Sequence, residues 1–266
     1  MEIATTTPKM LARKADGIGW MTFNNPERHN AVSLEMWQAA ESILADFAED
    51  PEVRVIILRG AGGKAFVSGA DISKFESERA SAEAVAAYQA QTERVYGGLY
   101  RLAKPTIAMI EGHCIGGGVA LATCCDIRLC GETSTFGIPA ARLGLGYGLK
   151  GVSRLVTLVG PSYTKEIFFT ARRYSAAEAE RMGLVNRVLP LAELEGFATE
   201  MAREIAGNAP LTVTSIKRIV GEALKDEALQ DASLCDQLVE QCFASSDYVE
   251  GRRAFLEKRR PAFQGR

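Results

Sequence analysis

Two short stretches concentrate the residues able to do chemistry. One is Ala65-Phe66-Val67-Ser68-Gly69-Ala70-Asp71-Ile72 and the other is Gly112-His113-Cys114-Ile115-Gly116-Gly117-Gly118-Val119-Ala120. Each puts small residues where the chain leaves an apolar segment, so the backbone can approach a ligand with no side chain in the way. The triple glycine also opens a helix-like stretch, Val119 to Cys125. Free N–H groups and the positive end of the helix dipole meet there. One N–H from each stretch can therefore converge on a single oxygen, an arrangement that stabilises negative charge growing on a carbonyl. Neither stretch is a dinucleotide fingerprint, because the GxGxxG spacing is missing.

Further segments stand in a fixed order around these two: Asn24-Asn25-Pro26-Glu27-Arg28-His29-Asn30-Ala31, then Met182-Gly183-Leu184-Val185-Asn186 and Pro210, then Phe255-Leu256-Glu257-Lys258-Arg259. Together they make the chain resemble the enoyl-CoA hydratase/isomerase (crotonase) superfamily over nearly its whole length. The resemblance implies that the N–H groups of Ala70 and Gly117 form an oxyanion hole for an acyl-CoA thioester. Coenzyme A would enter as part of the substrate, with no permanently bound cofactor. Its contacts would come from Arg28, Ala31, Ser68, Ala70, Asp71 and Ile72, with Phe255 and Lys258 reaching it from a neighbouring subunit.

The departures are as informative. Hydratases of the superfamily carry glutamates at the positions held here by Ala120 and Ala140. The segment Leu143-Gly144-Leu145-Gly146-Tyr147-Gly148 is instead similar to methylmalonyl-CoA decarboxylases, which implies that Tyr147 faces the acyl group as an acid or orienting group. The alternative for Tyr147 is a packed aromatic with a satisfied hydroxyl. Decarboxylation of a malonyl-type CoA suits two alanines, since glutamates would repel the substrate carboxylate and no general base is required. Those decarboxylases carry a histidine at the oxyanion position, where this chain has Ala70.

Hydration or double-bond isomerisation is the second reading, and both need a placed proton carrier. Glu111, Asp71, Asp126 and Glu76 are the candidates, while Arg142 is either a carboxylate partner or an exposed charge. His29 and His113 read as hydrogen-bonding spacers. A CoA-binding scaffold without turnover is a third reading.

The frame that must hold these groups is an ordinary globular one. The chain has 266 residues, 47% of them hydrophobic and 24% charged, with a formal net charge of −2. That charge sets up no field to recruit nucleic acid. No segment approaches the length of a membrane span, and the start lacks a signal peptide's apolar run. The six cysteines include no CxxC pair and read as buried thiols in a cytoplasmic protein. With two histidines and no ligand spacing, no metal site is expected.

Periodicity predicts strands at 17–23, 53–59, 65–67, 106–110 and 127–130, and helices from Ser33 to about Glu49 and from Glu83 to Leu102. This alternation is α/β with mainly parallel pairing, and the resemblance implies β-β-α units wound into a superhelix. The segment 73–82 reads as a polar loop over the site. Beyond about Ala192 only helices are expected, which divides the chain into a core, 1–192, and a helical region, 193–266. Amphipathic faces in that region need a partner surface. The resemblance supplies one, a homotrimer or a hexamer built as a dimer of trimers.

Overall fold

The computed structural model describes residues 1–71, 74 and 81–266. A short strand β1 (Glu2–Ile3) is followed by a hairpin of β2 (Met10–Ala15) and β3 (Ile18–Phe23). Helix α1 (Leu34–Glu49) starts at Ser33 as expected, although the Ser33 hydroxyl bonds the Glu35 carboxylate instead of capping a backbone N–H. Then come β4 (Val55–Gly60), β5 (Ala65–Val67) and α2 (Ala82–Arg101). Next are β6 (Thr106–Ile110), β7 (His113–Ile115) and α3 (Gly117–Ala122). A third turn adds β8 (Ile127–Gly131), β9 (Thr135–Gly137), the single turn α4 (Ala140–Leu143) and the long α5 (Leu149–Thr170).

Among the described residues the strands form two sheets. The larger runs β1-β2-β3-β4-β6-β8 and closes with β11 (Arg187–Leu189). The smaller runs β5-β7-β9 and ends with β10 (Tyr174–Ser175). Successive strand pairs split between the sheets: β4, β6 and β8 lie parallel in one, β5, β7 and β9 parallel in the other. Each pair is followed by a helix, so the chain winds as repeated β-β-α units. This is the expected superhelix, and the repetition lies in the topology with no sequence repeat beneath it.

The main core fills the space between the sheets and their helices. Helix α1 buries Met36, Trp37, Ile43, Leu44 and Phe47 there, each worth about 1.5–3 kcal/mol by removal from water. Helix α6 (Ala176–Arg181) starts at a reciprocal capping box between Ser175 and Glu178. A second core lies on the outer face of the large sheet. There α7 (Leu191–Gly207) packs Leu194, Ala198, Ala202 and Ala206 over Ile18, Trp20, Val55, Ile57, Ile107 and Leu129.

The expected boundary at 192 thus falls just inside a helix that covers the sheet. The helices after it differ: α8 (Pro210–Ala223), α9 (Ala232–Ala244) and α10 (Ser246–Glu257) leave Ile216, Val220, Leu224, Phe243, Val249, Phe255 and Leu256 exposed.

Candidate active site

The two parallel strands β5 and β7 end side by side and deliver the two small-residue turns together. Gly69 adopts φ +101°, a conformation open to glycine and strained for other residues. Its carbonyl accepts from the Val32 N–H at 2.9 Å, and the Asp71 N–H donates to the Val32 carbonyl at 3.0 Å. Because the Gly69–Ala70 peptide is trans, the Ala70 N–H points away from Val32.

The second turn is built the same way. The Gly116 carbonyl accepts from the Ala120 N–H at 3.1 Å, along α3. The Gly117 N–H of that same peptide therefore projects out of the helix N-terminus. Among the described residues, neither the Ala70 nor the Gly117 N–H has a hydrogen-bond partner. The turns are in contact: a Cβ added at Gly69 would stand 3.7 Å from the Gly117 nitrogen. Gly118 permits that approach, since a Cβ there would come within 2.0 Å of the Val67 carbonyl oxygen.

Two tyrosine hydroxyls flank this glycine turn. Tyr147 precedes α5, stacks edge-on against Phe168 at 4.9 Å, and packs against the main core. Its hydroxyl would lie 3.9 Å from a Cβ at Gly116 and has no hydrogen-bond partner among the described residues. Burial raises its pKa above the ordinary value, so the phenol stays protonated at neutral pH. The reading of Tyr147 as a packed tyrosine with a satisfied hydroxyl therefore fits only in part, because it is packed but unsatisfied.

Tyr96, on α2, is the residue that sequence reasoning missed. Its hydroxyl donates to the Gly117 carbonyl at 3.2 Å, and its ring meets Trp37 edge-on at 5.2 Å. Trp37 in turn donates from Nε1 to the Tyr88 hydroxyl at 3.0 Å. Burial drives the Tyr96 pKa well up. The available signal was the inward stripe Tyr88, Gln91, Val95 and Leu99 of α2, which puts Tyr96 beside the buried face.

Other expected residues fall into three groups. Arg28, Ala31, Ser68, Ala70 and Asp71 are gathered at the bridge between Val32 and Ala70, where the Ser68 hydroxyl donates to the Arg28 carbonyl at 3.4 Å. Asp71 is buried there, and Arg28 is exposed. Ala140 is buried at the start of α4, and the Ala120 carbonyl accepts from the Cys124 thiol at 3.1 Å.

A second group lies apart from the turns. Asp126 accepts from the Thr106 N–H at 2.7 Å and hydroxyl at 2.9 Å and pairs with Lys217 at 2.7 Å, a structural set of contacts. Glu111 lies against Gly63, before β7, whereas the glycine turn follows β7. His113 bonds Thr135 at 2.8 Å and sits 5.7 Å from the His29 ring, as a spacer would. Burial, Arg173 and His29 lower its pKa. Arg142 is exposed. Phe255 and Lys258 are also exposed, with Lys258 capping α10 at φ +54°, and no hydrogen bond joins them to the glycine turns among the described residues. The third group, Ile72 and Glu76, lies outside the described residues.

The winding of paired strands, with two unpartnered amides where β5 and β7 end, defines a helix-covered α/β superhelix with a backbone-built site. Residues 13–266 match the family model described as enoyl-CoA hydratase/isomerase, and the chain belongs to that family. It is 34% identical over 251 residues to the short-chain-enoyl-CoA hydratase of Clostridium acetobutylicum, covering 94% of this chain and 95% of that one. Among solved structures, it superposes on an enoyl-CoA hydratase/carnithine racemase from Magnetospirillum magneticum with a TM-score of 0.93 at 32% identity, covering 98% and 97% of the two chains. The enoyl-CoA hydratase of Bacillus anthracis gives 0.91 at 32% identity, covering 97% and 100%.

Proposed function

We propose that this protein binds an acyl-CoA thioester and stabilises its enolate, using the Ala70 and Gly117 N–H groups as an oxyanion hole. The observation that carries this reading is the pair of unpartnered amides on touching turns. Ala70 and Gly117 are only partly buried, so a ligand oxygen can reach both donors. Each such donor is worth about 2.7–4 kcal/mol once charge has moved onto the oxygen.

The step that makes the enolate distinguishes two reactions. Alanines occupy positions 120 and 140, and the tyrosine hydroxyls of residues 96 and 147 flank the turn. This environment suits loss of CO2 from a malonyl-type CoA. The bond between the α-carbon and the carboxylate breaks, its electron pair becomes the enolate, and CO2 leaves. A proton from Tyr147 or from water then restores the α-carbon, and Tyr147, if it was the donor, regains its proton from solvent.

The second reading is hydration by a displaced acid, and the name of the Clostridium relative favours it. Glu111 and Asp126 are disfavoured as that acid by their positions. Coenzyme A would lie along Arg28, Ala31, Ser68 and Asp71. The exposed apolar residues of α8–α10 support assembly into trimers or pairs of trimers, which would bring Phe255 and Lys258 of one subunit to another's CoA.

Incubation with malonyl-, methylmalonyl- and crotonyl-CoA, followed by mass analysis of the products, tests the reading. CO2 loss that disappears in Tyr147→Phe supports decarboxylation. Water added to crotonyl-CoA by the unaltered protein supports the second reading. Tight binding without turnover of any of the three contradicts both and leaves a scaffold.

A further inference from the structure

Tyr96 touches the glycine turn directly, and the proposed chemistry gives it no task. It stands on α2, and its hydroxyl donates to the Gly117 carbonyl at 3.2 Å. Among the described residues that carbonyl is the hydroxyl's one hydrogen-bond partner. Burial raises the phenol's pKa well above its ordinary value, so it stays protonated and remains a donor. The ring is backed edge-on by Trp37 at 5.2 Å. Trp37 is in turn anchored by its Nε1 bond to the Tyr88 hydroxyl at 3.0 Å, back on α2.

The hydroxyl also accounts for the middle glycine of the triplet. Gly116 stands at φ +56°, whereas Gly117 has no positive φ, so its conformation does not call for glycine. The space around it does. A Cβ on Gly117 would lie 3.1 Å from the Tyr96 hydroxyl and 3.6 Å from the Gly69 Cα. The hydroxyl and the Gly69 turn together fill the room a side chain would need.

The direction of the Gly117 N–H is set by the two peptides that meet at its Cα. The peptide before it is held by the Ala120 N–H, which donates to the Gly116 carbonyl at 3.1 Å. The peptide after it carries the carbonyl that Tyr96 holds. Helix α3 has only six residues, too few to keep its first turn rigid unaided. We infer that Tyr96 is a positioning residue of the oxyanion hole: its hydroxyl tethers the Gly117 carbonyl from outside α3 and keeps the Gly117 N–H aimed beside that of Ala70. This rests on the oxyanion-hole reading and holds for decarboxylation and hydration alike. The tether matters most when charge has moved onto the oxygen, so its loss weakens the transition state more than the bound substrate.

Infrared difference spectra of bound hexanoyl-CoA, labelled with carbon-13 at the thioester carbonyl, test it. Both amides polarise that carbonyl, so its stretch should fall below the value for the free ligand. Tyr96→Phe deletes one oxygen and keeps the ring against Trp37, and the fall in frequency should shrink. On whichever of malonyl-, methylmalonyl- and crotonyl-CoA is turned over, kcat should drop about fivefold, as for one neutral hydrogen bond, with KM barely moved. Val95→Ala is the control: it removes fully buried packing from the same helix and should leave the carbonyl frequency as it was. An undiminished fall in Tyr96→Phe, or an equal loss of it in Val95→Ala, overturns the inference alone. If the unaltered protein does not shift the carbonyl at all, the oxyanion-hole reading fails and takes this one with it.

Discussion

Replacing Tyr147 by phenylalanine should separate catalysis from stability. The hydroxyl has no hydrogen-bond partner to lose among the described residues, and the ring contact with Phe168 at 4.9 Å survives the change. The folded state should therefore lose less than about 0.5 kcal/mol, the range for substitutions that break no identifiable contact. If the phenol donates to charge developing on the substrate, its loss removes a charge-assisted hydrogen bond worth about 1.5–3 kcal/mol. That is about ten- to a hundredfold in kcat. KM should barely move, because the interaction belongs to the transition state. Steady-state rates on the acyl-CoA identified by mass analysis, together with urea unfolding of both proteins, supply the two numbers. An unchanged kcat would refute the role given to Tyr147. So would a parallel fall in stability, which would mark the tyrosine as a packing residue whose removal disturbs the turn.

Three further outcomes follow from the same geometry. Gly118→Ala should destabilise the fold by about 1–3 kcal/mol in urea melts, because its Cβ would stand 2.0 Å from the Val67 carbonyl oxygen; a neutral effect would mean the turns are not in contact. Stability should fall at high pH: burial keeps the thiols of Cys114, Cys124, Cys125 and Cys130 protonated in the folded state above their usual 9.0, with Cys124 and Cys130 pushed up to about 12. Their contribution is intact below pH 9 and is lost as pH rises toward 12, by up to about 1.4 kcal/mol per unit for each group, and Cys130→Ala should flatten the slope in melts at pH 8 and 10.5. If the proposed assembly uses the exposed stripe of Ile216, Val220 and Leu224, Val220→Glu should lower the mass seen by sedimentation; an unchanged mass would contradict assembly through this face.

The sequence made most of the frame legible because apolar periodicity and glycine turns are local signals. The strands around 106–110 and 127–130 and the helix from Ser33 to Glu49 appear within a residue or two of their expected limits. The partition of β5, β7 and β9 into a sheet of their own was less visible, since strands of three residues carry almost no pattern. Helix α5 was not anticipated: Gly160 at φ +73° and Pro161 interrupt it, so its pattern reads as two fragments.

For the site, the residues joined through the backbone were readable, because small residues at Gly69 and Gly116–Gly118 have a steric reason to be there. Tyr96 was not. It reaches the glycine turn from a separate helix, α2, and only the fold brings its hydroxyl to the Gly117 carbonyl. A lone tyrosine in a helical stretch gives no sign of such a meeting.

The central claim is that two main-chain amides grip one thioester oxygen, and a structure of the protein with a bound unreactive acyl-CoA tests it most directly. The thioester oxygen is expected about 2.7–3.1 Å from both the Ala70 and Gly117 nitrogens. An oxygen held by side chains or water, with either amide turned away from it, would contradict the account.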